Sequence, residues 1–298
     1  MIVSNVFLTM QNKVHQKIIR ELRNDGISFW NVKSLISPKE IVKDFDSLIQ
    51  TAKVNRPRYT NNSIKTLIKS DLALYHKKMA SNDDRIPQDI FEKGEEHYRN
   101  DIVHVTVTNP LIDIPKINNV VFSDLIQSIA DDYLGGKAAV GYVKLKKSYA
   151  NNQEFRSTNH KFHFDDNAPK ILKVLFYMND VHEGGGGFQF VRGSHKANHI
   201  RNGEKITFED NEVISMFGSE AIQECIGNAG TCVFADTLGL HKEGIATKMD
   251  RYSTIINYVL EPEYGGVGSK QLVSKKTFSS LQMKNKSLAR FLEVVEGI

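Results

Sequence analysis

From Ile102 to Leu260 the chain is a succession of short β-prone runs cut by Gly-, Asn- and Asp-rich turns, and this limits its fold more than any other feature. The runs are Ile102–Thr108, Ala138–Lys146, Ile171–Met178, Phe188–Val191, Glu212–Met216, Thr231–Ala235 and Tyr252–Leu260. Short strands separated by such turns suggest a sandwich or jelly roll. Helical patterns come first. Val14, Ile18, Ile19 and Leu22 recur at helical spacing before Gly26, which supplies a stop, and Ile27–Val32 reads as a strand. Ser37-Pro38-Lys39-Glu40 is a capping box opening a helix with Ile41, Phe45, Leu48 and Ile49 on one face. A further amphipathic helix from Val120 to Leu134 is closed by Gly135-Gly136. Helices before strands predict a mainly β or α+β chain.

Residues 51–101 are polar, with a Lys-rich helix expected around Ile64, Leu67, Ile68, Leu72 and Tyr75. The stretch reads either as a lid or substrate-specificity insertion, or as an ordinary solvated helix with loops. The tail is expected to end in a short helix carrying Leu288, Phe291, Leu292 and Val295. The 298 residues are read as a single domain.

The net charge of +4 is spread among 35 acidic residues and not gathered into blocks, which permits an anionic ligand without calling for nucleic acid. No apolar run is long enough to span a bilayer, and Met1–Met10 lack the basic and apolar regions of a secretory signal. A cytoplasmic protein is expected. The two cysteines, Cys225 and Cys232, flank Gly227-Asn228-Ala229-Gly230, where a hairpin would set them opposite each other. Reduced buried thiols are the preferred reading over a disulfide.

Chemistry concentrates in His160-Lys161-Phe162-His163-Phe164-Asp165-Asp166. In an extended segment residues two apart share a face, so His163 and Asp165 project together. One imidazole and one carboxylate are two of the three ligands of a facial triad that leaves positions on Fe(II) open. The third ligand should be a distant His, and His241 fits, just beyond the strand Thr231–Ala235 and its turn. Arg251, ten residues on, and Ser253 share a face of the next strand. A guanidinium fork and a hydroxyl there suit the far carboxylate of 2-oxoglutarate, whose keto-acid end would chelate the metal. Asp166 replaces Asp165 only if the strand bulges. His195 is expected to support a loop beside the site, and His160 to give support or be exposed. Tyr142, Lys144 and Lys146 share one face, expected to be an outward basic one, with one of the three reaching into the pocket as the alternative.

With these motifs the chain resembles the phytanoyl-CoA dioxygenase family. The resemblance runs through Asp25-Gly26, Leu134-Gly135-Gly136, His163/Asp165 and Phe176-Tyr177-Met178-Asn179-Asp180. It continues through Gly184–Gly187, Val191-Arg192-Gly193-Ser194-His195, Ala229-Gly230 and the His241/Arg251 pair. It implies a double-stranded β-helix core, Fe(II) and 2-oxoglutarate as cofactor and co-substrate, and O2 with a small-molecule substrate as partners. It further implies C–H oxidation with release of succinate and CO2. Related halogenating enzymes carry a small residue at the carboxylate position, so Asp165 implies hydroxylation or a kindred oxidation. Residues 51–101 match nothing in the resemblance, and a phytanoyl-CoA substrate is not implied. The rival expectation is a catalytically silent cupin-like protein that captures metal or ligand.

Overall fold

The structure, a computed structural model, describes residues 2–32, 35–51, 72–76, 102–107, 109–150, 158–165, 168–260, 271–284 and 292–295. The strands are β1 (Ile27–Asn31), β2 (Leu72–His76), β3 (Ile102–Val107), β4 (Ala139–Ser148), β5 (Phe162–His163), β6 (Leu172–Tyr177) and β7 (Phe188–Val191). They continue with β8 (Thr207–Phe208), β9 (Ile222–Cys225), β10 (Thr231–Ala235), β11 (His241–Lys242), β12 (Arg251–Val259), β13 (Gln271–Ser274) and β14 (Leu292–Val295). A large antiparallel sheet runs β1-β10-β6-β12-β4-β3-β2, and a smaller one runs β8-β5-β11-β7-β9. Two antiparallel sheets with helices against one outer face make a double-stranded β-helix, the jelly roll expected from the sequence.

Alternation along the strands divides the large sheet into two faces. On the outer face Val105, Val143, Leu145, Val174, Phe176, Phe234, Ile256 and Tyr258 pack in one apolar cluster. That cluster includes Ile18 and Leu22 of α1 (Ile2–Asp25), Ile41 and Phe45 of α2 (Pro38–Thr51), and Ile126 and Ile129 of the helix Asp124–Leu134. Fully burying each such side chain is worth roughly 1.5–3 kcal/mol, so the helices are held by this layer. The inner face faces the small sheet. Leu175, Tyr177, Val233, Ala235 and Ile27 meet Phe188, Phe190 and Cys225 across the gap. The Tyr177 hydroxyl joins the sheets, donating to the Cys225 carbonyl at 2.8 Å and accepting from the Phe188 amide at 3.0 Å.

Five expectations need correction. Glu212–Met216 is helical, within Asp210–Phe217, because Glu209 and Glu212 form a capping box and only Val213 of that helix is buried. The tail residues Leu292–Val295 form β14, paired in parallel with β13, where a helix was expected. The helix expected from Val120 to Leu134 is two, Asn118–Val121 and Asp124–Leu134, separated at Phe122-Ser123. Leu72 and Tyr75 lie in β2 at an edge of the large sheet and not in a helix; the rest of the Lys-rich segment falls outside the described residues. Cys225 and Cys232 are buried free thiols in different sheets, so no hairpin sets them opposite each other. Among the described residues no helix is long and apolar enough to cross a membrane.

Candidate metal centre

β5 and β11 are antiparallel neighbours with His163 directly opposite His241. Cross-strand partners place their side chains side by side, and the two imidazole centroids are 4.3 Å apart. Asp165 lies two residues beyond His163, and its amide is tied to the Thr237 carbonyl at 2.8 Å. That bond fixes the segment against the turn leading into His241. His163, Asp165 and His241 thereby offer three donor atoms all within 4.8 Å of one another.

The tautomers are set by the backbone. His163 Nδ1 donates to the Lys161 carbonyl and His241 Nδ1 to the Gly239 carbonyl, each at 2.9 Å. In a neutral ring this leaves the Nε2 lone pair available to a metal. Burial pushes the His241 imidazole down to about 3, so it stays neutral. For Asp165 burial works upward, but the facing His241 ring and the Lys173 ammonium outweigh it and hold the carboxyl below its usual range. Lys173 Nζ is 2.5 Å from Asp165 Oδ2. Two imidazoles whose Nδ1 atoms are held by backbone carbonyls and one ionised carboxylate on one surface suit a divalent cation of the first transition row.

The segments named by the sequence brace this arrangement. Ser194 donates to the Val191 carbonyl at 2.6 Å and accepts from the Leu240 amide at 2.8 Å, fixing the residue before His241. His195 packs on Gly26, where a Cβ would come within 2.5 Å of its ring nitrogen. It supports the loop and stands outside the triad, as does the half-buried His160. Asp166 lies outside the described residues.

Arg251 and Ser253 lie on the inner face of β12, both buried. Arg251 is opposite Ser148 in β4, and Ser253 is opposite Lys146 in β4 and Tyr177 in β6. The alternation that brings them there also puts Tyr142, Lys144 and Lys146 on the inner face, with Lys146 buried, Tyr142 half-buried and Lys144 exposed, so the outward face expected for these three gives way to its alternative. The Lys146 side chain is only 7% exposed. Arg251 is already engaged. Its guanidinium donates to Glu243, to the Gly244 carbonyl at 3.2 Å and to Ser148 Oγ at 3.4 Å. Glu243 also accepts from Lys146 at 2.5 Å. Burial would raise the Glu243 carboxyl, but Lys146 and Arg251 hold it well below the usual carboxylate range.

Sequence reasoning missed Glu243 and Lys173. The signals existed: Glu243 is two residues past His241 and therefore on its face, and Lys173 is a lone charge inside an apolar strand.

Similarity to known proteins supports the fold. No family model matches the chain, and no curated protein matches it in sequence. Among solved structures, the chain is similar to the epimerase SnoN in complex with Fe3+, alpha ketoglutarate and nogalamycin RO. The identity is 14% over 83% of this chain and 84% of that one, with a TM-score of 0.53. It is also similar to AviO1 from Streptomyces viridochromogenes Tue57, at 15% identity over 82% of this chain and 94% of that one, TM-score 0.52.

Proposed function

We infer that this protein is a non-haem Fe(II) enzyme that uses 2-oxoglutarate and hydroxylates a C–H bond of a small-molecule metabolite. The carrying observation is the triad: two backbone-oriented imidazoles and one carboxylate whose donor atoms lie within 4.8 Å of one another. The donor set fits Fe(II), and His163, Asp165 and His241 would hold it. Bound there with 2-oxoglutarate and O2, the metal supplies an oxidant able to take hydrogen from an unactivated C–H bond, with succinate and CO2 as co-products. SnoN, the epimerase of the same fold, carries Fe3+ and alpha ketoglutarate in its complex, which supports the same pairing here. The motif resemblance to phytanoyl-CoA dioxygenases points the same way, and with Asp165 present it favours hydroxylation over halogenation.

The chain's own groups have separable tasks. The Lys161 and Gly239 carbonyls keep both histidines in the metal-binding tautomer. Lys173 keeps Asp165 ionised and oriented. Arg251, with Ser253 beside it, supplies the anion site expected for the far carboxylate of the co-substrate, and the jelly-roll walls exclude water. We read residues 1–298 as one cytoplasmic catalytic domain. The test is succinate release from 2-oxoglutarate by protein supplied with Fe(II) and ascorbate. Iron binding without succinate would leave a silent metal-binding jelly roll, and absence of iron binding would remove the assignment altogether.

A further inference from the structure

The Arg251 site is complete without a co-substrate. Its guanidinium and the Lys146 ammonium converge on a single carboxylate, and that carboxylate is Glu243. Ser148 and the Gly244 carbonyl close the guanidinium's other sides. Two buried cations facing one carboxylate are what the distal end of a dicarboxylic 2-oxo acid would need. Here the chain provides the anion itself.

The position is built in. Glu243 follows His241 by two residues, so a metal ligand and the occupant of the anion site come from one short extended segment. That segment is clamped from the far side. A Cβ on Gly244 would come within 2.2 Å of the Gly187 carbonyl, and one on Gly186, whose φ is +70°, within 2.4 Å of the Ala246 amide nitrogen. The backbone carrying Glu243 is therefore fixed, whereas its side chain keeps 20% exposure against 4% for Arg251 and 7% for Lys146. Of the three charged side chains in the cluster, that of Glu243 is the most exposed.

We propose that Glu243 is a resident competitor for the co-substrate's far carboxylate: 2-oxoglutarate loads by displacing Glu243 from Arg251 and Lys146, and Glu243 sets how weakly and how selectively it loads. This rests on the reading of the site as a 2-oxoglutarate site. Displacement conserves charge in the cluster, one carboxylate leaving for solvent as another enters. A 2-oxo acid with no second carboxylate has nothing to exchange and leaves Glu243 in place.

Anaerobic calorimetric titration of the Fe(II)-loaded protein with 2-oxoglutarate, and separately with pyruvate, tests this. Glu243→Gln removes the competing charge and should tighten 2-oxoglutarate at least about tenfold while pyruvate stays within about twofold. Glu243→Asp keeps the charge, and with it the folded cluster, but shortens the reach by one methylene. It should tighten 2-oxoglutarate about threefold or more. Circular dichroism and Tm establish that each variant is folded; if Gln does not fold, Asp alone decides. A gain with Gln and none with Asp would be general electrostatics and would overturn the proposal. Unchanged or weaker 2-oxoglutarate binding in Asp would overturn it as well. Failure of wild type and variants alike to bind either 2-oxo acid would instead remove the co-substrate reading on which the proposal stands.

Discussion

The metal triad and the Arg251 cluster border the same inter-sheet space, yet one gathers metal-donor atoms within 4.8 Å of one another and the other is closed on itself. In the triad each imidazole spends one nitrogen on a backbone carbonyl and keeps the other for a metal. In the Arg251 cluster guanidinium, ammonium, hydroxyl and carboxylate all satisfy one another. The difference teaches that a preformed site and an available site are separate properties. The imidazoles meet their hydrogen-bonding needs through backbone carbonyls, so that part of the triad calls for no counter-ion. Two buried cations with no anion would carry a desolvation penalty of several kcal/mol each, so that cluster needs a resident counter-ion.

The largest expected effect breaks the triad. Asp165→Ala removes a candidate ligand and also takes from Lys173 its carboxylate partner at 2.5 Å. Affinity for Fe(II) should fall about 100-fold or more, beyond the 10–100-fold typical of losing a group behind the ligands. Metal content after desalting checks this. Asp166→Ala should retain metal, and the reverse outcome would mean that the ligand is off by one residue.

Breaking the closed side should leave metal binding intact. Arg251→Ala removes one of the two cations paired with Glu243, and truncating one partner of a buried charge pair costs about 2–5 kcal/mol. Urea unfolding should report a loss of that order, with normal iron content and a KM for 2-oxoglutarate raised strongly. A variant of unchanged stability would show that the cluster is not the closed ion network described.

A third region sharpens the contrast, since the apolar end of the same gap serves only as scaffold. Tyr177→Phe strands the Phe188 amide and the Cys225 carbonyl, a loss of about 1–3 kcal/mol. It should lower the urea midpoint and leave Fe(II) affinity unchanged. If metal affinity falls in step, the two ends of the gap are coupled and the separation drawn here fails.

The smallest expected effect is none. Cys225 and Cys232 are free, buried and in different sheets, and burial pushes both thiols up. Adding reductant should not move Tm. A drop would mean that a disulfide had formed after all.

Much of the site was legible because it is local. His163 and Asp165 share a face through the two-residue period of an extended segment, and Arg251 and Ser253 do so likewise. The strands Thr231–Ala235 and Ile171–Met178 carried their own apolar patterns. What misled was apolar content with no partner in view. Val213, Ile214 and Met216 resemble a strand until the Glu209–Glu212 capping box is weighed, and that box satisfies helix-end amides that a strand would leave to a neighbour. Leu292 and Val295 fit helical spacing, but pairing with Gln271 and Ser274 made that segment a strand.

The sequence by itself determined the strand-rich architecture, the identity of the three candidate ligands and the placing of Arg251 and Ser253 on one strand face. These depend on periods of two residues and on the chemistry of single side chains, and both can be read along the chain. Tertiary structure alone decided which charges meet. The register of β12 on β4 puts Arg251 opposite Ser148 and turns Lys146 inward, and the segment following His241 brings Glu243 between the two cations. Lys173 reaches Asp165 only because β6 borders the same gap. Register is a property of paired strands, fixed when two faces bury their apolar residues together, and no single strand carries it.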